Sequence, residues 1–545
     1  MRAAFRSPVM ILFFNQEPSM RTRYRHSLGS FAPGLLLSAL FLVVIPAAAE
    51  AQTFRTDDPV LRQMWDEGME NSQTEEMAQI LMDSIGPRLS GSPGFDAAGE
   101  WLVSVYGEWG IEVRQEEYGT WRGWQQGALH VDLTSPRIQT LEAKLLAWSP
   151  GTSGFLEGEV VAVPAFSSEA QVAEWLGSIE GKIVLASHAE PTCREPQALE
   201  RLARTETVDR LRQEREERMR SWAERLGALG NNPHRTLEDA GAVGIITSRW
   251  SEGWGVNKIF SAATEEAVSI DLSCEDYGLV SRLAKNEQSP RIRIHAETEE
   301  LGTVPMYNVM AEIPGTELPD EYVLLSAHLD SWHGATGATD NGTGTITMLE
   351  AMRILKEAYP NPRRTILVGH WGGEEQGLIG SRAYAEDNPD VVDNLQAVFN
   401  QDNGTWRVDY IQAQGLLGAS ANLGRWVAQL PTEISEHIEL DFPGPQEVGG
   451  SDHVAFLCYG APGWRLQSHY PDYRQYTWHT NRDTFDKIIF DDLKNNATLA
   501  AMLTYLASED PDRVPRDRAL LPTDPRTGEP REWIPCREPA RSWGR

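Results

Sequence analysis

The chain has 545 residues, of which 41% are hydrophobic, and a formal net charge of −30 at pH 7. This length exceeds one ordinary domain and the apolar content is ample for a packed core, so two domains are expected. The acidic balance argues against nucleic acid and against anionic membrane surfaces as partners.

The first segment has the pattern of an export signal. Three arginines between residues 21 and 25 precede an apolar run from Leu35 to Ile45, and small residues near Ala49 suit signal peptidase. Residues 1–51 are therefore predicted to be a signal peptide, with Met20 as an alternative start. An uncleaved anchor is disfavoured, because the run is shorter than the ~20 residues that span a bilayer. The mature protein is expected to be secreted or periplasmic, without a stable membrane span.

Four cysteines are scattered along the chain without any CxxC pair: Cys193, Cys274, Cys458 and Cys536. Their spacing excludes a zinc ribbon and a dense disulfide framework. Export permits one or two bridges, and buried free thiols are the alternative. The sequence leaves their pairing open.

The segment between residues 56 and 109 is predicted to be helical. Apolar residues at helical spacing predict two helices from Thr56 to Gly86, where Gly86 and Pro87 end the pattern. A third helix is predicted from Ser92 to Trp109, because Ser92 suits the N-cap and the proline after it suits the first helical position.

After Val113 the sequence changes to short strand-like runs separated by Gly, Pro and Ser. Strands are predicted at Ala128–Leu133, Ala143–Trp148, Gly158–Val163, Lys182–Ala186 and within residues 240–248. Residues 197–229, rich in Arg, Glu and Leu, are predicted to form one long helix after Pro196. A solvated helix is the favoured interpretation, and a partner-binding or lid helix is the alternative.

From Val304 onward strands and helices alternate, which indicates an α/β sheet. The predicted strands are Tyr307–Ile313, Tyr322–Ala327, Thr365–Gly369, Leu395–Asn400 and Gly463–Gln467. The predicted helices are Thr343–Glu357, Leu378–Glu386, Ala419–Gln429 and Phe490–Leu506. Chemistry in such a fold is expected where the strands end.

Histidines and carboxylates follow these strand ends. Neutral imidazole and carboxylate oxygen suit zinc, and one carboxylate can bridge two ions ~3.5–4 Å apart. Asp340, in a glycine-rich turn, is the bridging candidate. The remaining predicted metal ligands are His328, Glu375, Asp402 and His479.

Two further carboxylates are candidates for catalytic support. Asp330 lies two residues from His328 and is predicted to hold its imidazole in the metal-binding tautomer. Glu374 is left free to take a proton from a water activated by the metal.

In this order and spacing the motifs resemble the co-catalytic zinc aminopeptidase family, and lie nearest to its plasma glutamate carboxypeptidase branch. The matching pieces are His328-Leu-Asp330, Asp340-Asn-Gly342, Glu374-Glu375-Gln-Gly377, Asp402, and His479-Thr480 followed by Asp483-Thr484. The resemblance implies that His328 and Asp402 hold one zinc, Glu375 and His479 the other, with Asp340 bridging and Glu374 as general base.

The chain departs from the family pattern in two places. Asn341 follows Asp340 where many relatives have a second Asp, and Trp478 precedes the last His where some relatives have a Tyr that stabilises the oxyanion. That tyrosine role stays open among Tyr470, Tyr473 and Tyr476. Arg465 is a candidate for binding a substrate carboxylate. The histidines expected to have only packing or supporting roles are His333, His370, His437, His453 and His469.

The sequence therefore predicts a three-layer α/β/α zinc exopeptidase fold with an inserted β-rich domain, which resembles a protease-associated domain. The predicted boundaries are 52–125 and 300–508 for the peptidase domain, 126–299 for the insert and 509–545 for a tail. The expected function is hydrolysis of N-terminal residues or dipeptides by a water activated by two Zn²⁺, with a peptide as substrate. A homodimer is a candidate assembly. A glutaminyl cyclase-like acyltransferase and a non-catalytic receptor-like relative are the alternatives.

Overall fold

The computed structural model describes residues 56–470 and 472–544. The predicted signal peptide, residues 1–51, lies outside the described residues. The strands of the described part are β1 (Glu112–Ser135), β2 (Gln139–Thr140), β3 (Ala143–Leu145), β4 (Leu156–Ala162), β5 (Ile183–Leu185), β6 (Gly244–Thr247), β7 (Val268–Leu272), β8 (Arg291–Ile313), β9 (Leu318–His328), β10 (Arg364–Trp371), β11 (Leu395–Asn400), β12 (Tyr410–Gln412), β13 (Glu439–Asp441) and β14 (Gly463–Arg465).

The same residues form α1 (Pro59–Trp65), α2 (Thr74–Gln79), α3 (Pro93–Glu108), α4 (Glu169–Leu176), α5 (Pro196–Leu202), α6 (Thr205–Gly227), α7 (Pro233–Asp239), α8 (Cys274–Lys285), α9 (Thr343–Ala358), α10 (Ile379–Asp387), α11 (Pro389–Asp393), α12 (Leu417–Val427), α13 (Thr432–Ser435), α14 (Val454–Leu457) and α15 (Phe490–Glu509). None of the helices in this part of the chain is long and apolar enough to cross a membrane.

One mixed sheet organises the described chain, with the strand order β14-β11-β9-β10-β8-β4-β5-β6-β7-β3 and with β1 paired to β8. Strand β9 runs parallel to β10 and β11, and β11 runs parallel to β14. Parallel strands need crossover connections, which α9 and α10 supply here. The predicted α/β fold is confirmed, whereas the insert domain and the domain boundaries stay predictions.

The two faces of the sheet bury different sets of side chains, which gives the peptidase part its layers. On β9, Val323 and Leu325 belong to the core that includes α9 and α15, whereas Leu324 belongs to a second core with Trp371 and Phe456. Successive side chains of a strand point to opposite faces, so this alternation requires a helical layer on each side. Because β9 runs parallel to β10 and β11, the carboxyl ends of these three strands lie at the same edge of the sheet.

Strands β1 and β8 form one long antiparallel ribbon, from the pair Glu112 and Glu312 to the pair Ser135 and Arg291. One end of β8 pairs with β10 and the other with β4, so the ribbon connects both groups of strands. The sequence predicted only Ala128–Leu133 and Tyr307–Ile313 within it, because glycines and a proline interrupt the strand pattern. Hydrogen bonding across the ribbon overrides those local signals.

The predicted helices before residue 110 are confirmed. Helices α1 and α2 each continue into a π-helical turn, and the second ends at Gly86, whose φ is 86°. Ser92 caps α3 by accepting a hydrogen bond from the Phe95 backbone N–H at 3.3 Å. The single helix predicted over residues 197–229 is wrong. The backbone is extended at Ala203 and Arg204, so two helices, α5 and α6, replace it.

All four cysteines are paired. The disulfides are Cys193–Cys274 and Cys458–Cys536, with Cα atoms 5.9 and 5.0 Å apart. The first ties the segment before α5 to α8, and the second ties α14 to the tail. Each closes a long loop, and such cross-links typically stabilise a fold by ~2–4 kcal/mol.

Candidate metal and catalytic site

The predicted ligands meet at the edge where parallel strands end. His328 is the last residue of β9, Glu375 lies in the turn after β10, and Asp402 follows β11 by two residues. Asp340 lies in the turn before α9, and His479 comes from a loop after β14. Strand direction therefore brings together residues that are up to 151 positions apart in the sequence.

These side chains form two groups that share one carboxylate. His328, Asp340 and Asp402 form the first group, and Asp340, Glu375 and His479 form the second. Within each group the candidate ligand atoms lie within 4.8 Å of one another. The sharing of Asp340 is the arrangement that a bridging carboxylate requires.

In the first group, His328 Nε2 lies 3.5 Å from Asp340 Oδ1 and 3.5 Å from Asp402 Oδ1. Its Nδ1–H donates to the backbone carbonyl of Asp330 at 3.0 Å, so Nε2 is the ring nitrogen that faces the carboxylates. The Asp330 carboxylate itself is 3.7 Å from Nδ1. The backbone oxygen of Asp330, rather than its side chain, makes the hydrogen bond to the imidazole.

In the second group, His479 Nε2 lies 2.9 Å from Glu375 Oε2 and 3.3 Å from Asp340 Oδ2. Burial lowers the pKa of His479 to about 4, so its imidazole is neutral, as a metal ligand must be. The insert region holds this loop: the Ile259 backbone N–H donates to the His479 carbonyl at 2.7 Å, and the Phe260 ring is 5.0 Å from the imidazole.

The donor set fits divalent metal ions. Among the described residues, no hydrogen-bond partner faces His328 Nε2, Asp340 Oδ2, Asp402 Oδ1 or Glu375 Oε1, although all four atoms are buried. Burial of an ionised carboxylate without a counter-ion costs roughly several kcal/mol of free energy for each group. Oxygen and imidazole nitrogen donors suit zinc, and an ion in each group would satisfy these atoms.

Glu374 lies beside the first group, with Oε2 3.9 Å from His328 Nε2. The Asp330 carboxylate anchors this turn, because it accepts hydrogen bonds from the backbone N–H groups of Glu374 at 3.1 Å and Glu375 at 3.3 Å. Burial raises the pKa of Glu374, and the carboxylates of Asp402 and Asp452 add to that effect. Asp330 thus positions the turn, while the Glu374 carboxylate faces the site.

The turn that carries Asp340 is held by two residues. Asp483 accepts hydrogen bonds from the Thr339 N–H at 2.8 Å and the Asp340 N–H at 3.1 Å. Asn341, where the chain departs from the family pattern, donates to the Gln401 carbonyl at 3.0 Å and accepts from the Gly344 N–H. Asn341, although it differs from the Asp of many relatives, therefore ties the turn to the end of β11.

Arg88 is a supporting residue that the sequence did not reveal. Its guanidinium is fully buried and donates to the carbonyls of Leu329, Gly86, Thr336 and Gly337 at 2.7–3.0 Å. Burial lowers its pKa to about 10, so it stays cationic at neutral pH beside the site carboxylates. It follows a Gly-Pro pair and belongs to no motif, so only the fold shows its role.

Arg465, the candidate for binding a substrate carboxylate, lies against the first ligand group, where its guanidinium already has protein partners. Its Nη2 is 3.4 Å from Asp402 Oδ2 and 3.3 Å from Asn403 Oδ1. Although burial opposes it, the Arg465 charge, followed by His328, lowers the pKa of Asp402 well below its usual range. Arg465 thus keeps Asp402 ionised.

The histidines expected to have packing or supporting roles lie outside both ligand groups. His333 contacts the Leu145 carbonyl, His370 contacts the Tyr106 hydroxyl, and His469 contacts Asp409. His453 lies 2.6 Å from Glu447, which faces Arg465. His437 belongs to neither group.

The three candidate tyrosines are in different surroundings. Burial raises the pKa of Tyr473, and the carboxylates of Asp340 and Asp402 add to the rise. The hydroxyl of Tyr476 is bonded to Glu195 instead. The oxyanion role predicted for one of them stays a prediction.

Comparison with known proteins agrees with this geometry. Residues 308–504 match Peptidase family M28. Carboxypeptidase Q from Xenopus laevis is 25% identical over 453 residues, which cover 82% of this chain and 88% of that protein. A Peptidase M28 precursor from Shewanella amazonensis SB2B has a TM-score of 0.60 at 23% identity, covering 84% of this chain and 97% of its own.

BSAP, a zinc aminopeptidase from Bacillus subtilis, has a TM-score of 0.53 at 18% identity, covering 82% of this chain and 96% of its own. At these identities the two solved structures show a shared fold. With the family match, the predicted resemblance to the co-catalytic zinc aminopeptidases is confirmed, and so is the prediction of a metallopeptidase.

Proposed function

We propose that this chain, whose residues 308–504 match Peptidase family M28, is an exported exopeptidase that binds two Zn²⁺ ions and hydrolyses N-terminal residues or dipeptides. The observation that carries the proposal is the pair of ligand groups that share Asp340. A single ion would need only one group, and a receptor-like relative would need neither.

His328 and Asp402 would hold one ion, Glu375 and His479 the other, and Asp340 would bridge them. When bound, the two ions lower the pKa of a water molecule and polarise the scissile carbonyl. The Glu374 carboxylate, at the edge of the first group, accepts the proton of the attacking water. It then returns that proton to the leaving amine, so no covalent intermediate with the protein is needed.

The two disulfides support export. Disulfides persist in oxidising compartments such as the periplasm and the extracellular space, and all four cysteines are paired here. A secreted or periplasmic location is therefore proposed, together with cleavage of the predicted signal peptide. Mass spectrometry of the N-terminus of the exported protein would test both.

The experiment that tests the function combines metal analysis with a substrate panel. The purified full chain is loaded with zinc, and bound metal is counted per chain. Hydrolysis is then measured on free dipeptides, N-blocked dipeptides and aminoacyl amides. We expect two zinc ions per chain, together with cleavage of substrates that have a free amino terminus.

Each departure from that result has a distinct meaning. One ion per chain with cyclisation of N-terminal glutamine would favour the acyltransferase alternative. Cleavage of blocked substrates alone would exclude aminopeptidase action. Fewer than two bound ions and no hydrolysis would favour the receptor-like alternative, and two bound ions without any hydrolysis would contradict the exopeptidase proposal. Cleavage of free dipeptides but not of aminoacyl amides would select the dipeptidase form of the proposal.

A further inference from the structure

Four tryptophans from distant parts of the chain pack together beside the second ligand group: Trp121, Trp148, Trp332 and Trp543. The ring of Trp543 is 5.1 Å from that of Trp121 and 5.3 Å from that of Trp148. The ring of Trp148 is in turn 6.0 Å from that of Trp332. This tryptophan cluster therefore forms a continuous packed path from the tail to the site.

Trp332 connects the cluster to two of the candidate metal ligands. Its indole N–H donates to Glu375 Oε2 at 2.8 Å, and its ring is 5.7 Å from the imidazole of His479. Among the described residues, the other oxygen of Glu375 has no hydrogen-bond partner. The indole thus fixes the orientation of a carboxylate whose Oε2 also lies 2.9 Å from His479 Nε2.

The tail is fastened at two places shortly before Trp543. Cys536 is bonded to Cys458, and the Arg541 guanidinium pairs with Glu386 at 2.8 Å and with Asp387 at 2.7 Å. The Arg541 carbonyl also accepts a hydrogen bond from the Thr120 N–H at 2.8 Å. These contacts place Trp543 against the tryptophan on β1 and hold it there.

Trp148, the central member, has a backbone conformation that its surroundings must impose. Its φ is 59°, in the left-handed region that a bulky residue rarely adopts. Such a conformation persists only when neighbouring contacts determine it. The indole N–H of Trp148 donates to the Arg122 carbonyl at 3.2 Å, and Trp543 covers one side of its ring. Loss of Trp543 would therefore remove a contact that holds the Trp148 ring in place. The Trp148 ring in turn packs against Trp332.

We propose that Trp543 is a positioning residue for the second metal subsite, and that it acts through Trp148 and Trp332 on the Glu375 carboxylate. The inference rests on the proposed function, because it takes Glu375 as a metal ligand. It gives the tail, which lies outside the matched family residues, a role in the site.

The test measures zinc binding to the metal-free full chain by competition with a chromogenic chelator, with thermal melting as a second readout. Trp332→Phe keeps an aromatic ring and removes the indole donor, and we expect it to weaken one of two zinc sites by about 10- to 100-fold. Trp543→Ala should weaken the same site by about 2- to 30-fold. The double variant should bind zinc as Trp332→Phe does, because the two residues act on one hydrogen bond.

Trp533→Ala is the matched control, because Trp533 lies in the same tail but packs over Arg518, away from the tryptophan cluster. It should bind zinc like the unmodified chain. The inference is overturned if Trp543→Ala binds two zinc ions with unchanged affinity, or if the control weakens binding equally. If the unmodified chain itself fails to bind zinc, the proposed function fails, and the inference falls with it.

Discussion

Replacement of Arg88 by lysine tests whether one buried cation holds the metal-binding loops. Arg88 donates four hydrogen bonds to backbone carbonyls of residues 86, 329, 336 and 337. Lysine keeps the charge, but its three donors spread from a single nitrogen and cannot reproduce the planar fork. If two of the four bonds are lost, at ~1.5–3 kcal/mol for each bond to a charged group, the free energy of unfolding falls by ~3–6 kcal/mol.

The same change should also weaken metal binding. Three of the four carbonyls that Arg88 holds, those of Leu329, Thr336 and Gly337, belong to the segment between His328 and Asp340, so loosening this segment would let the two ligands separate. We expect zinc affinity of the metal-free chain to fall by ~10- to 100-fold, as for other residues that support ligands. Urea unfolding and a zinc titration measure the two effects separately.

Arg364→Lys supplies a matched control for the loss of a buried guanidinium. Arg364 is also buried, and it donates to Glu321 and to the carbonyls of Ser508 and Asp510, away from the ligand groups. We expect Arg364→Lys to lower the free energy of unfolding but to leave zinc affinity unchanged. The reasoning is refuted if Arg88→Lys binds zinc normally, or if both variants weaken zinc to the same extent.

Three further predictions concern single residues. Glu374→Gln should lower kcat by ~10²–10⁴-fold while two zinc ions stay bound, because only the proton acceptor is lost; retained turnover would contradict this role. Asp340→Ala should lose both ions in metal analysis, whereas Asp409→Ala, which removes a surface partner of His469, should keep them. Burial lowers the pKa of His370 to about 3, so stability should fall by ~1.4 kcal/mol per pH unit as pH drops from 6.5 towards 3. His370→Gln should show a shallower slope in urea unfolding between pH 6.5 and 4.5, and an equal slope would exclude His370.

The features that the sequence predicted correctly depend on local signals. The cap at Ser92 and the α/β alternation after Val304 are each encoded within a few neighbouring residues. The meeting of His328, Asp402 and Glu375 at one edge also followed, because parallel strands place their carboxyl ends together.

The features that the sequence missed depend on contacts between distant residues. Ala203 and Arg204 are good helix formers, so nothing local indicated the break between α5 and α6. Arg88 and Trp332 carry no motif, and their partners lie 241 and 43 residues away. Likewise, the contact between Ile259 and His479 required knowing that the insert region folds back over the site.

The β1–β8 ribbon has a consequence for the redesign of substrate specificity. Its pairing, although interrupted by four register shifts, runs from the strands that end at the ligands to those of the predicted insert region, and a swing of one group against the other would have to open that ladder. We therefore expect Ile259 and Phe260, which contact His479, to move little relative to it. Redesign of specificity should accordingly start with substitutions at Ile259 and Phe260 instead of changes that loosen the ribbon.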